Sequence, residues 1–177
     1  MKNLFLMLSV FAAITFAACK EKKSVENPFS SEFSTPFQVP PFDKIDTSHY
    51  LPAFIEGIKQ HDAEIALIAD DNSPATFENT ILPFDKSGKM LKRVSKVFYN
   101  IVEAHSNEHL QAIAEKVSPL VSKHNDDIAM NAKLFSRIKT VYENRNTSNL
   151  DQQQIRVVEK YYRDFERQGA NLSKDDQ

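Results

Sequence analysis

Tryptophan is absent from the sequence, glycine occurs three times in 177 residues, and one cysteine, Cys19, is present. The single cysteine removes both an intrachain disulfide and a thiolate metal site. Scarce glycine argues against a turn-rich β fold and for helices. No run of Lys or Arg exceeds two residues and the net charge is −2, so nothing favours nucleic acid, and only a local basic face stays open. The mature part also lacks a glycine-rich phosphate loop, a G-x-S-x-G elbow and a cysteine nucleophile, which disfavours a small-molecule enzyme. With 41% hydrophobic and 26% charged residues, the chain suits one globular domain with a real core.

Residues 1–18 read as an export leader. Lys2 supplies the positive start, residues 4–16 form an apolar run too short to span a bilayer, and Ala17-Ala18 precede Cys19. That ending resembles a bacterial lipobox, in which cleavage leaves Cys19 as the lipid attachment residue. The alternative is an ordinary secretory leader with an incidental cysteine. The lipobox reading places the protein in the cell envelope, held to a membrane through Cys19, on the periplasmic side or at the outer membrane. Residues 19–47 then form a charged tether and an arm rich in Pro and Phe, which its prolines keep extended. Phe29, Phe33, Phe37 and Phe42 are too apolar for a free linker, so several are expected to pin the arm to the body.

From residue 48 onward apolar residues recur at helical spacing. A first helix is expected from Thr47 or Ser48 to about Asp70, with Phe54, Ile58, His61, Ile65 and Ile68 on one face. His61 reads as a structural histidine, because no second ligand lies three or four residues away. His49 and Tyr50 read as packing at the helix end. Asp70, Asp71, Asn72 and Ser73 read as a solvated turn, since EF-hand spacing is missing. Thr76 caps a second helix, 77–104, bent at Pro83 and loosened at Gly88, with Leu91, Val94, Phe98 and Ile101 inward. A third carries Leu110, Ile113, Val117, Leu120 and His124, with a kink or break at Pro119. Asn131 caps a fourth, with Leu134, Phe135, Ile138, Val141 and Tyr142 inward. A fifth, about 150–168, carries Ile155, Val158, Tyr162 and Phe165 and stops at Gly169. Tyr161 and Tyr162 read as packing residues, with substrate binding as the functional alternative. Ser173, Asp175 and Asp176 resemble the start of a further helix that the chain does not complete.

His105, Glu108 and His109 match the inverted zinc signature H-x-x-E-H, which on a continuous helix would put two imidazoles on one face beside a glutamate base. Ser106 and Asn107 are good N-caps and poor interior residues, so a helix break is expected between the histidines. No catalytic, cofactor-binding or metal residue is therefore assigned within this chain.

Several pieces appear together in one order: P-P-F-D-K-I at 40–45, H-Y-L-P-A-F at 49–54, T-F-E-N-T at 76–80 followed by S-G-K-M-L-K-R-V at 87–94, N-A-K-L-F-S-R-I at 131–138 and F-E-R-Q-G-A-N-L at 165–172. The chain thereby resembles, over roughly residues 26–177, the amino-terminal helical region of peptidyl-dipeptidases of the thimet-oligopeptidase family of zinc metallopeptidases. The resemblance implies a parent that takes short peptides and uses zinc on a His-Glu-x-x-His helix, and no His-Glu pair occurs here. It also implies that this chain is the non-catalytic wall or lid of a peptide channel, with a C-terminal catalytic half as its partner. An autonomous, lipid-anchored helical interaction module is the alternative. The expected fold is all-α: an antiparallel array of about five helices, 48–177, with the extended arm laid against it.

Overall fold

The computed structural model describes residues 26–172, so Cys19, the expected leader and the expected helix start at Ser173 lie outside it. Six α-helices follow one another: α1 Tyr50–Ala69, α2 Leu82–Lys86, α3 Lys89–Ala104, α4 Glu108–Ala129, α5 Ala132–Asn144 and α6 Gln152–Arg167. Five are long, α2 is a single short piece, and no strand occurs among the described residues. The chain is all-α, as its periodicity predicts. Helix α1 is central, packing against α3, α4 and α5, while α5 pairs with α6. Gly57 permits the closest of these approaches, since a Cβ there would lie 3.0 Å from the Cα and N of Leu91 on α3.

Caps set the boundaries. Asn107 accepts from the Leu110 amide and Asn131 from the Leu134 amide, each at 3.0 Å. Asp151 accepts from the amides of Gln153 and Gln154 while the Gln154 side chain accepts from the Asp151 amide, which starts α6 just after Leu150. Asp46, rather than Thr47 or Ser48, caps the 3₁₀ turn Thr47–His49 that leads into α1. Gly169, at φ 90°, turns the chain out of α6.

The expected helix 77–104 is instead three pieces. Thr76 caps it as foreseen, accepting from the Asn79 amide at 3.3 Å, and the Asn79 side chain returns a bond from the Thr76 amide. Its first turn, Phe77–Ile81, is π-helical, with the Leu82 amide reaching back to Phe77 O. Pro83 follows directly. An ordinary turn would press its ring against the carbonyl four residues earlier, and the wider turn relieves that contact. The helix then stops at Ser87, and Gly88 adopts the left-handed conformation, φ 67°, before α3 begins. Two further corrections concern α4. It runs through Pro119 without a break, and at 22 residues it is the longest of the described helices. Leu120 faces solvent because the inward stripe steps from Val117 to Val121 and His124.

The arm is held at its beginning and released further on. Phe29 is fully buried and touches Tyr50, which touches Phe98, with ring centroids 5.6 and 5.0 Å apart. Arg93 donates to Phe29 O at 2.6 Å and lies over the Phe33 ring. Asn27 reaches His49 O at 2.8 Å. Burying a phenyl ring of this kind contributes about 2–3 kcal/mol. Of the four phenylalanines, Phe29 and Phe33 pin the arm, whereas Phe42 is half exposed and Phe37 is 99% exposed. The arm is also not extended throughout, since Pro36–Gln38 forms a 3₁₀ turn.

Two hydrophobic cores result. The first joins Phe29, the start of α1, α3 and the first half of α4; the second joins Ile65 and Ile68 of α1, the π turn, α5 and α6. His61 of α1 lies between the two.

Candidate functional site

Where α1 meets α4 and the α2–α3 junction, polar side chains form a chain through the interior. His124 of α4 is buried; its Nδ1 lies 2.8 Å from Asp62 Oδ1, and its Nε2 lies 2.9 Å from His61 Nδ1. His61 Nε2 in turn lies 2.9 Å from Ser87 Oγ. The buried Ser87 hydroxyl is 2.7 Å from Phe84 O, and Glu64 Oε2 accepts from the Gly88 amide at 2.6 Å. With the Ser87 hydroxyl donating to the Phe84 carbonyl, His61 donates from Nε2 and accepts at Nδ1. His124 then donates from Nε2 to His61, and its Nδ1 faces the Asp62 carboxylate.

Burial and, next, the neighbouring charge of His124 lower the pKa of His61 to about 4 from its ordinary 6.5, while Glu64 and Asp62 oppose the shift and Lys92 adds to it. The unfolded chain therefore takes up a proton at His61 that the folded chain refuses. Stability from this source is complete above pH 6.5 and is lost as pH falls toward 4. Allowing for the ring's partial exposure, the expected loss is on the order of 1–2 kcal/mol. Urea unfolding between pH 7 and 4 measures it. His61→Gln, which keeps one donor and one acceptor, should flatten that part of the profile; an unchanged slope would assign it to other groups.

Three surface features surround this chain. A cleft of about 350 Å³ bordered by His61, Phe84, Tyr161 and Phe165 opens toward α6. Tyr161 donates to Asp85 Oδ1 at 2.6 Å and meets Phe84 edge-on, and burial followed by that bond pushes its phenol above the usual range. Tyr162 stacks on Tyr142, centroids 3.9 Å apart, so both tyrosines have packing partners. Beneath the arm, a cleft of about 450 Å³ lies between α3 and residues 32–40. At the α1–α5 end, Arg137, 9% exposed, clasps the loop after α1: it donates to Asp71 O, to Ser73 O at 2.9 Å, and to Asp71 Oδ2 and Asn79 Oδ1 at 3.1 Å each. The acidic loop 70–73 is thus partly tied down rather than simply solvated.

His105 and His109 do not come together as a motif. Helix α3 ends at Ala104, Asn107 caps α4, and the two histidines belong to different elements, both exposed. Among the described residues no group of three or more His, Cys, Asp or Glu side chains is placed to hold a metal ion, so the zinc implied for the family does not fit here. A search for a second ligand within one helical turn does not find the pair His61–His124, whose members lie 63 residues apart. The available signal was a histidine on the apolar stripe of each of two helices.

A family model described as the N-terminal domain of neurolysin and thimet oligopeptidase matches residues 55–177. The dipeptidyl carboxypeptidase of Escherichia coli (strain K12) is 40% identical over 150 residues, 85% of this chain and 22% of that protein. Its Salmonella typhimurium counterpart is 36% identical over the same shares. Oligopeptidase A of Escherichia coli is 24% identical over 143 residues, 81% of this chain and 21% of that protein. The chain thus spans about a fifth of the length of these curated relatives.

Proposed function

We propose, since the chain belongs to the family of neurolysin and thimet oligopeptidase N-terminal domains, that it is the non-catalytic amino-terminal portion of a secreted zinc peptidyl-dipeptidase and forms part of the wall or lid of its peptide channel. The observation that carries this is the 40% identity to a dipeptidyl carboxypeptidase across 85% of the chain, aligned to only 22% of that relative. Two features support it. The donors and acids of the interior are spent on each other, in the His61–His124 chain and the Arg137 clasp, which leaves substrate confinement rather than bond breaking to these residues. The outward side of α1 also carries exposed apolar groups, Ile55, Ala63, Ala66 and Leu67, which a larger protein would cover. Zinc, its ligands and the glutamate base belong to the part of the parent beyond this chain. Acylated Cys19 holds the parent to a membrane of the cell envelope.

The test compares this chain with the polypeptide encoded by its complete reading frame. The longer polypeptide should release C-terminal dipeptides from short peptides and lose that activity to a chelator, and the chain alone should release none. Mass spectrometry of the membrane fraction should find lipid on an amino-terminal Cys19. Dipeptide release by the chain alone would overturn the reading. A frame that stops after Gln177 would do so too, in favour of an autonomous lipid-anchored interaction module.

A further inference from the structure

The chain is acidic as a whole, yet α3 carries Lys89, Lys92, Arg93 and Lys96 with no Asp or Glu between residues 86 and 102. Those four cations form one wall of the 450 Å³ cleft beneath the arm, and Glu32 is the one acid among its lining residues. Lys89 lies 3.8 Å from Glu32, both largely exposed, and such a pair exchanges readily with another carboxylate. Arg93 is fixed by Phe29 O and by the Phe33 ring. Lys92 reaches Asp85 O at 3.2 Å. Lys89, Lys92 and Lys96 stand three and four residues apart, so they share a face and span about 10 Å along the helix. That length matches about three to four residues of extended peptide.

The opposite wall is aromatic, and its backbone is unusual. Phe37 and Gln38 both have φ 56°, a left-handed pair that is strained for residues other than glycine. The strain is spent on holding a phenyl ring 99% in water above the cleft. Within the chain this placement gains no burial for Phe37. It does give the cleft an apolar lip opposite a row of ammonium groups, and few ligands answer both demands at once.

We propose that the cleft between the arm and α3 binds an extended acidic peptide, its carboxylates on Lys92, Lys96 and Lys89 and an adjacent apolar side chain against Phe33 and Phe37. The four-to-one excess of cations selects the charge, and the aromatic lip selects a peptide over a simple polyanion. This deepens the reading of the chain as part of a peptidase by naming a substrate class, acidic peptides, that the amino-terminal portion draws in.

Fluorescence anisotropy of the purified full chain with labelled acetyl-Asp-Glu-Phe-Asp-Glu-amide tests it. The comparators are the same peptide with Asn and Gln for its acids, an oligothymidylate of equal charge, and phosphatidylglycerol vesicles. The acidic peptide should bind at least about tenfold tighter than its neutral analogue and lose affinity with added salt. Lys92→Gln combined with Lys96→Gln should weaken it by about tenfold, and Phe37→Ser by about threefold, with unchanged circular dichroism because these side chains are exposed. Equal binding of the neutral analogue would overturn the proposal, as would indifference to the lysine pair. Preference for oligothymidylate or vesicles with no effect of Phe37→Ser would overturn it as well, reducing the cleft to a patch for any polyanion. Dipeptide release by the longer polypeptide is measured separately, so failure of that reading and failure of this one are told apart.

Discussion

Arg137→Ala lowers the unfolding free energy by about 3–5 kcal/mol, the largest loss expected from any single polar side chain of the fold. The guanidinium projects from the middle of α5 to the loop after α1 and satisfies two backbone carbonyls, the Asp71 carboxylate and the Asn79 side chain. Alanine leaves these acceptors facing a cavity. It also undoes Asn79, which returns the cap bond to Thr76 and donates to Ser73 Oγ and Pro74 O, so the π turn loses its anchor. Among the described residues the Nε of Arg137 has no partner, so the wild-type clasp already bears one unmade bond that the other four offset. Against a total stability of about 5–15 kcal/mol, the variant approaches unfolding. Chemical denaturation followed by circular dichroism measures the loss. Arg137→Lys should recover less than half of it, because one ammonium cannot serve acceptors spread around a planar fork. A loss below about 1 kcal/mol would show that water replaces the clasp.

Gly88→Ala is the second large effect, expected at about 2–4 kcal/mol. Two causes add. The left-handed φ of 67° disfavours any Cβ, and the Cβ itself would stand 2.9 Å from His61 Nδ1 and 3.0 Å from its Cε1. That ring has little room to yield, since it is held by Ser87 on one side and His124 on the other. Gly88→Asn separates the causes. Asparagine tolerates the left-handed region but still carries a Cβ, so it should recover only about 1 kcal/mol. Recovery to wild-type stability would mean that backbone strain alone matters and that the histidine chain adjusts freely.

Most of the helical plan was legible because helices announce themselves locally. Thr76, Asn131 and Gly169 stand where the predicted ends are, and Ser106-Asn107 broke the chain between His105 and His109 for the reason their side chains suggest. Periodicity, however, states which face is buried and not what it meets. His61 and His124 were each placed on an inward stripe, yet their contact depends on the packing of α1 on α4, which no local pattern encodes. Leu120 failed for a subtler reason, since a step of three and a step of four are both helical and only the neighbouring helix decides between them. Ser87-Gly88 reads equally as a loosened turn or a full stop, and the acceptor that favours the stop, Glu64, lies on another helix. The lipid attachment expected at Cys19 lies outside the described residues.

The division of the apolar interior into two clusters bears on how the molecule opens. Helix α1 supplies Phe54 to one cluster and Ile65 to the other, with a polar seam at His61 between them. A dry seam would weld the halves, whereas hydrogen-bonded rings part and rejoin without exposing large apolar area. Each half can therefore breathe as its own cooperative unit while α1 remains folded against whichever half stays shut. The central helix becomes a common spine, slow to exchange its amides. Hydrogen exchange should then release the amides of α3 and those of α5 and α6 in separate openings.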